Sequence, residues 1–269
     1  MGSLELIPLF SGSSGNSTLI RAGRKNILID AGRNCKQIVN ALGVAGTSPE
    51  SIDAIFITHS HHDHLDALDV FVRKYPANIY ATASTHKSLA KKFTKPHPYA
   101  EDIIIVPGEA IDLGDGVSVV ACNTPHDAAG SVCYKVMYRG KSLMVMTDLG
   151  YITEDIRQMA YGVDGVLIEA NYDKMMLVYG PYPEDLKARI AGDRGHLSND
   201  ACAEMIKEMI ANGTYNFILG HLSDNNNTHE KAYLTVTDYL SQHNLVQNKN
   251  YNIAVANRYE PVKGMKIET

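Results

Sequence analysis

Cysteine is scarce in this 269-residue chain, and long apolar runs are missing altogether. The four cysteines, at positions 35, 122, 133 and 202, form no CxxC pair. They are too few for a disulfide scaffold, which excludes a small stapled secreted fold and implies reduced thiols in a cytoplasmic protein. With no stretch of about 18 apolar residues, a transmembrane helix is excluded. The opening MGSLELIPLFSGSSGNS lacks the basic segment and the long apolar segment of a secretory signal, so none is expected. Positive charge is also in deficit: 25 Lys and Arg against 30 Asp and Glu give a net charge of −5. That disfavours binding nucleic acid through a globally basic surface, although a local basic patch or bound metal ions can still attract phosphate. No Pro/Ser linker, low-complexity tract or fixed-period array divides the chain, and 45% hydrophobic residues over this length supply a large core. A single domain over 1–269 is expected.

What is present reads first as strands. Short apolar runs at Leu4–Phe10, Thr18–Ala22, Asn26–Asp30, Asp53–Thr58 and Asn78–Ala81 are followed by Ile103–Val106, Val117–Ala121, Ser131–Tyr138 and Ser142–Thr147. Arg139-Gly140 is a hairpin turn between the last two. Asn34–Leu42 has helical spacing and ends at Gly43, and Thr85–Phe93 is a basic helix. Beyond residue 150, helices at Glu154–Ala160, Asp185–Ile190, Asn199–Ala211 and Thr228–Ser241 alternate with strands at Gly165–Glu169, Tyr215–Leu219 and Asn252–Val255. Two halves, each with several strands and helices, predict two sheets packed face to face with helices outside.

The chemistry concentrates in Thr58-His59-Ser60-His61-His62-Asp63-His64, directly after a strand. Protonated histidines this close repel one another, and buried neutral ones need partners; a bound cation resolves both problems. Imidazole and carboxylate suit Zn, Mn or Fe. His59 and His61 can converge on one ion, and Asp63 and His64, opening the next helix, on a second. Further donors stand where strands end: His126 in NTPHD, Asp148 in MVMTDLG and His221 in ILGHLS. Taken singly, each is equally a capping or loop residue.

Asp30 in ILIDAG, the HxHxDH run, His126, Asp148 and His221 together resemble the metallo-β-lactamase superfamily. The resemblance implies an αββα sandwich with a dinuclear site on one edge. In it, His59, His61 and His126 hold one divalent metal ion, Asp63, His64 and His221 hold the other, and Asp148 bridges them. A closer resemblance is to the WalJ/YycJ-type hydrolases, carried by SGSSGNS (11–17), TPHDA (124–128), TDLG (147–150), EANYD (169–173), RGHLSN (194–199) and LGHLSDNN (219–226). That family is associated with 5′-to-3′ exonuclease activity, which implies a DNA substrate.

A bridging carboxylate, and His61 in place of the Glu typical of the fold's di-iron oxygen reductases, both suit hydrolysis by a metal-bridged hydroxide, with Asp63 handling protons beside it. His196 is not needed for either metal. Resemblance to ribonuclease Z-like enzymes makes it the leaving-group acid or a phosphate ligand, oriented by Glu169; the alternative is a loop histidine preceding the helix at 199–211. The Gly/Ser loop 11–17, with Ser14 and Asn16, can cradle a phosphate or simply turn the chain. Asn225 and Asn226 are candidate phosphate or sugar contacts or ordinary loop residues. Lys87, Lys91, Lys92 and Lys95 largely share a helix face, read here as solvated rather than DNA-tracking. The rival functions are a thioesterase- or lactonase-type hydrolase with nearly the same ligands, and a metal-binding scaffold without catalysis.

Overall fold

A computed structural model describes residues 2–93, 95–98 and 100–269. The first half supplies β1 (Ser3–Phe10), β2 (Ser17–Ala22), β3 (Lys25–Ile29), α1 (Cys35–Val44), β4 (Ala54–Phe56), α2 (His62–Leu65), α3 (Leu68–Val72), β5 (Asn78–Thr82), α4 (Ala83–Lys92) and β6 (Asp102–Ile105). The second supplies β7 (Ala110–Asp112), β8 (Val117–Asn123), β9 (Val132–Tyr138), β10 (Lys141–Met146), α5 (Glu154–Ala160), β11 (Gly165–Glu169), α6 (Lys174–Tyr179), α7 (Glu184–Ala191), α8 (Asn199–Ala211), β12 (Asn216–Gly220), α9 (His229–Gln242), β13 (Asn252–Val255) and β14 (Met265–Glu268). They form two seven-stranded sheets, ordered β14-β1-β2-β3-β4-β5-β6 and β13-β12-β11-β10-β9-β8-β7. Each sheet is mixed: hairpins pair antiparallel in β1–β3 and β7–β10, and crossovers through helices give the parallel runs β3–β6 and β10–β13.

The strands read as unbroken apolar runs because both faces of each sheet are covered. Along β3, Ile27 and Ile29 face the opposite sheet, where they share a core with Phe56, Val119, Tyr134, Val145, Leu167 and Ile218. Leu28 between them packs outward with Ile38 and Leu42 of α1 and Phe71 of α3. On the other side, Met144, Val166 and Phe217 pack against Ile156, Ile206 and Val236 from α5, α8 and α9. The order helix, sheet, sheet, helix follows directly, as the sequence pattern implies. Arg139 (φ 50°) and Gly140 (φ 75°) adopt the left-handed pair of a tight hairpin. Helix α1 continues through Gly43 to Val44, one residue further than expected, because Ala45 N–H closes it onto the Ala41 and Gly43 carbonyls. No helix among the described residues is long and apolar enough to cross a membrane.

Strands β1, β3, β4 and β5 run one way in the first sheet, and β8, β10, β11 and β12 run parallel to one another in the second. The loops that leave their carboxyl ends meet at one edge of the sandwich. Val132 N donates to Thr58 O (3.0 Å), and His221 N donates to Ser11 Oγ (2.8 Å), so hydrogen bonds tie the sheets together there.

Candidate metal centre

The loop after β4 is built to hold its histidines. Thr58 donates from its N–H to Asp30 Oδ1 and from its hydroxyl to Asp30 Oδ2, both at 2.8 Å. Asp30 is 3% exposed, so these bonds lie out of water. Lys92 Nζ donates to the Ser60 carbonyl at 2.6 Å. Asn16 reaches across from the Gly/Ser loop: its N–H donates to the Asp63 carbonyl (2.7 Å) and its amide to Asp63 Oδ2 (3.2 Å). The approach demands glycine at position 32, where a Cβ would stand 1.6 Å from the Asp63 carbonyl oxygen. Asp30, Asp148 and His221 all take left-handed backbone angles (φ 63°, 62° and 54°) one or two residues beyond a strand. A non-glycine residue accepts that conformation at a cost of roughly 1 kcal/mol, a pattern that gathers at functional sites.

Four histidines are anchored through Nδ1, which turns Nε2 towards the other donors; the Asn16 amide lies 3.1 Å from that of His64. His64 Nδ1 donates to Asp30 Oδ2 (2.7 Å), His59 Nδ1 to Thr58 Oγ1 (2.9 Å), His126 Nδ1 to the Gly195 carbonyl (3.1 Å) and His221 Nδ1 to Glu169 Oε1 (2.7 Å). Such backing fixes the tautomer and aims the other nitrogen, as metal ligands require. His59 Nε2 and His126 Nε2 come within 3.0 and 3.3 Å of His61 Nδ1. A second group forms where Asp63 Oδ2 lies 3.4 Å from His64 Nε2 and 3.6 Å from His221 Nε2. Asp148 stands between them, with Oδ1 3.6 Å from His126 Nε2 and Oδ2 3.4 Å from His64 Nε2.

The electrostatics ask for a cation. Burial opposes ionisation of Asp63 and Asp148, but the histidines around them outweigh it and hold both carboxyls below the usual carboxylate range. Burial likewise disfavours charged His64 and His221, yet Asp148, Asp63 and their backing carboxylates reverse it, pushing His221 up to about 10. Burial and neighbouring imidazoles lower His59 and His61, which keeps them neutral. Asp148 Oδ2 and His221 Nε2 are buried with no hydrogen-bond partner. An unpartnered carboxylate oxygen and an unpartnered imidazole nitrogen inside a cluster of such donors fit divalent metal ions, which take the place of protons on the acid-rich side.

All seven expected metal donors are brought together. His196 is adjacent: its Nδ1 donates to Glu169 Oε1 at 2.9 Å, the oxygen that also receives His221. Glu169 has no exposed surface, so it acts through these two rings and touches no substrate. Its other oxygen accepts the N–H groups of Leu149 (2.8 Å) and Leu197 (3.1 Å), and the histidine pair draws its carboxyl down to about 2 against burial. Ser14 accepts from Arg33 (3.0 Å), and Asn225 donates to the Tyr182 hydroxyl (2.7 Å). Asn226, expected beside substrate, has no exposed surface; its backbone carbonyl accepts from Asp173 N–H (2.8 Å), which ties its loop to the one after β11. Of the expected solvated lysine face, Lys87 and Lys91 are exposed on α4 and Lys95 is exposed but lies beyond the helix, while Lys92 is bound by the Ser60 carbonyl. Sequence reasoning missed the buried trio Asn171, Asn199 and Asn227, in which Asn171 donates to the His221 carbonyl (2.7 Å). An Asn two residues after a strand-end Glu was the available signal.

Residues 25–221 match the family model described as the β-lactamase superfamily domain. The exodeoxyribonuclease WalJ of Streptococcus pneumoniae is 37% identical over 238 residues, covering 88% of each chain. The exodeoxyribonuclease YycJ of Bacillus anthracis is 30% identical over 239 residues, covering 89% of this chain and 90% of its own. The metallo-β-lactamase-fold protein YhfI of Bacillus subtilis superimposes with a TM-score of 0.73 over 97% of this chain and 99% of its own; at 14% identity it speaks for the fold alone. The chain belongs to the metallo-β-lactamase superfamily, in the family of WalJ and YycJ.

Proposed function

We propose that the protein is a cytoplasmic 5′-to-3′ exonuclease that hydrolyses DNA with two divalent metal ions, Zn, Mn or Fe. The observation that carries the reading is the His196–Glu169 pair, held at 2.9 Å beside a complete donor cluster that does not need it. The names of the WalJ and YycJ relatives support DNA as the substrate.

His59, His61 and His126 would hold one ion and Asp63, His64 and His221 the other, with Asp148 between the two groups. Bound there, the ions supply Lewis-acid stabilisation of phosphoryl oxygens and an acidified water. Asp63, steadied by Asn16, takes up the proton released in the attack. His196, oriented through Nδ1, presents Nε2 to the leaving O3′ and donates the proton that the departing alkoxide needs. Ser14 and Asn16 on the Gly/Ser loop and the exposed Asn225 contact the strand on either side of the scissile phosphate.

The test is duplex DNA labelled at the 5′ or the 3′ end, incubated with Mn²⁺ or Zn²⁺, with a thioester and a lactone in parallel. Early release of labelled mononucleotide from the 5′-labelled strand is expected. Turnover of the thioester or lactone with intact DNA would refute the reading.

A further inference from the structure

A cleft of about 420 Å³ opens beside His126, lined by Asn123, Thr124, Asp127, Ala129, Ser131 and Arg194 among others. Its floor is a loop stitched to itself: Thr124 N donates to the Ser131 carbonyl (2.9 Å) and the Thr124 hydroxyl to Ser131 Oγ (2.7 Å). Thr82 Oγ1 donates to the Gly130 carbonyl (2.9 Å) and fixes the far rim. The lining is polar, and its volume falls within the range of small-ligand sites. The acid in the wall is already compensated, because Asp127 Oδ2 accepts from Arg189 Nε at 2.6 Å. Arg194 is exposed and makes no ion pair among the described residues, so it is the uncompensated charge of the cleft.

The backbone that carries Arg194 is held with respect to the metal donors. Gly195 lends its carbonyl to His126 Nδ1 (3.1 Å), and His196 N–H donates to the Ile190 carbonyl (2.9 Å). The turn packs so tightly on Gly150 that a Cβ there would stand 2.1 Å from the Asp193 carbonyl oxygen. The backbone on either side of Arg194 is therefore tied to His126 and to the turn that carries His196.

We infer that this cleft is the pocket for the terminal nucleotide of the strand, and that Arg194 grips its 5′-phosphate. The inference rests on the exonuclease reading above. When a nucleotide is removed from a 5′ end, the leaving O3′ belongs to the terminal nucleotide, so that nucleotide must lie on the side of the proton donor. Arg194 stands two residues before that donor, His196, on the same turn. A guanidinium pairs with a phosphate monoester through two charge-assisted hydrogen bonds, and a 5′-hydroxyl offers nothing comparable. The pocket thus reads the end of the strand, and the metal centre needs to read no sequence.

The experiment compares duplexes carrying a 5′-phosphate or a 5′-hydroxyl, using metal-loaded wild type, Arg194→Ala, Arg194→Lys and Ala129→Phe, the last to fill the cleft. The readout is the ratio of kcat/KM for the two ends. Equilibrium binding of a 5′-phosphorylated oligonucleotide with an uncleavable first linkage, against its 5′-hydroxyl twin, provides a second measure. Wild type is expected to favour the phosphate about 10- to 100-fold, the span of a hydrogen-bonded charge pair. Arg194→Ala and Ala129→Phe should bring the ratio close to one, and Arg194→Lys should retain part of it. A wild-type enzyme that degrades DNA without preference, or a ratio unchanged in Arg194→Ala, would overturn this inference alone. No hydrolysis of DNA by wild type would overturn the exonuclease reading and this inference with it.

Discussion

Replacing Glu169 by glutamine changes one buried atom and tests how the site is wired. The carboxylate serves four donors: Leu149 N–H (2.8 Å) and Leu197 N–H (3.1 Å) on Oε2, and His221 Nδ1 (2.7 Å) and His196 Nδ1 (2.9 Å) on Oε1. Glutamine keeps only one accepting oxygen. If that oxygen stays on the backbone amides, the new NH₂ faces both imidazoles, which must then accept at Nδ1 and carry their proton on Nε2. A His221 protonated at Nε2 has no lone pair left for a metal ion. If the amide flips, the imidazoles are satisfied but NH₂ opposes two buried N–H groups. Either way two hydrogen bonds to a charged acceptor are lost, at about 1.5–3 kcal/mol each. A combined cost of roughly 3–6 kcal/mol therefore falls on metal affinity and folding stability together. Metal affinity should drop about 10- to 100-fold, as when a ligand histidine loses its backing carboxylate. Competition with a chelating fluorophore measures the affinity, and denaturant unfolding of the metal-free protein measures the stability. A Glu169→Gln protein with wild-type affinity and an unchanged unfolding midpoint would refute this account of the shared oxygen.

Elemental analysis of the loaded wild type should give about two transition-metal ions per chain, and His61→Ala should lose metal and activity together; a fully loaded, active variant would remove His61 from the ligand set. His196→Ala should keep its metal and its fold while kcat on DNA falls by roughly 10²–10⁴, with a smaller loss on a nitrophenyl phosphodiester whose leaving group needs little protonation. His221→Ala, in contrast, should weaken metal binding and depress both substrates alike; equal losses in His196→Ala would assign His196 to phosphate positioning. Gly32→Ala should push the Asp63 segment away and lower metal affinity, because its Cβ would lie 1.6 Å from the Asp63 carbonyl oxygen; unchanged affinity by calorimetry would mean that the loop yields without cost.

The elements legible from sequence were those with strong local signals. Helix α8 was read with its observed bounds because Ser198 caps it, accepting from Ala201 N–H, and because Cys202, Met205, Ile206 and Met209 follow helical spacing. The edge strands β7 and β14 escaped because they are only three and four residues long: β7 is too short and exposed to show a period, and the alternation of β14 is too brief to stand out. Helix α6 escaped for a different reason: Met175, Val178 and Tyr179 are apolar yet exposed, so its pattern points outward. In the site, donors at strand ends announced themselves by residue type, since a buried His or Asp at such a position needs a partner. Relations between distant residues did not. That Glu169 backs His221 as well as His196, or that Lys92 holds Ser60, depends on which loops meet, and no spacing along the chain encodes it.

The seating of donors on loops from both sheets has a consequence for biosynthesis. The triad His59, His61 and His126 is complete in the chain once the loop after β8 has emerged, although the Gly195 carbonyl that backs His126 follows later; the partner group needs His221, which arrives only behind β12. Strand β1 likewise waits for β14 to cover its outer edge. A nascent chain emerges from its amino end, and pairings this remote are made late. The donors of the imidazole-rich half are thus all synthesised first, while the acid-rich half is completed only when most of the polypeptide has been made. Should each group take an ion, the later one would be drawn from the metal pool that surrounds a nearly finished protein.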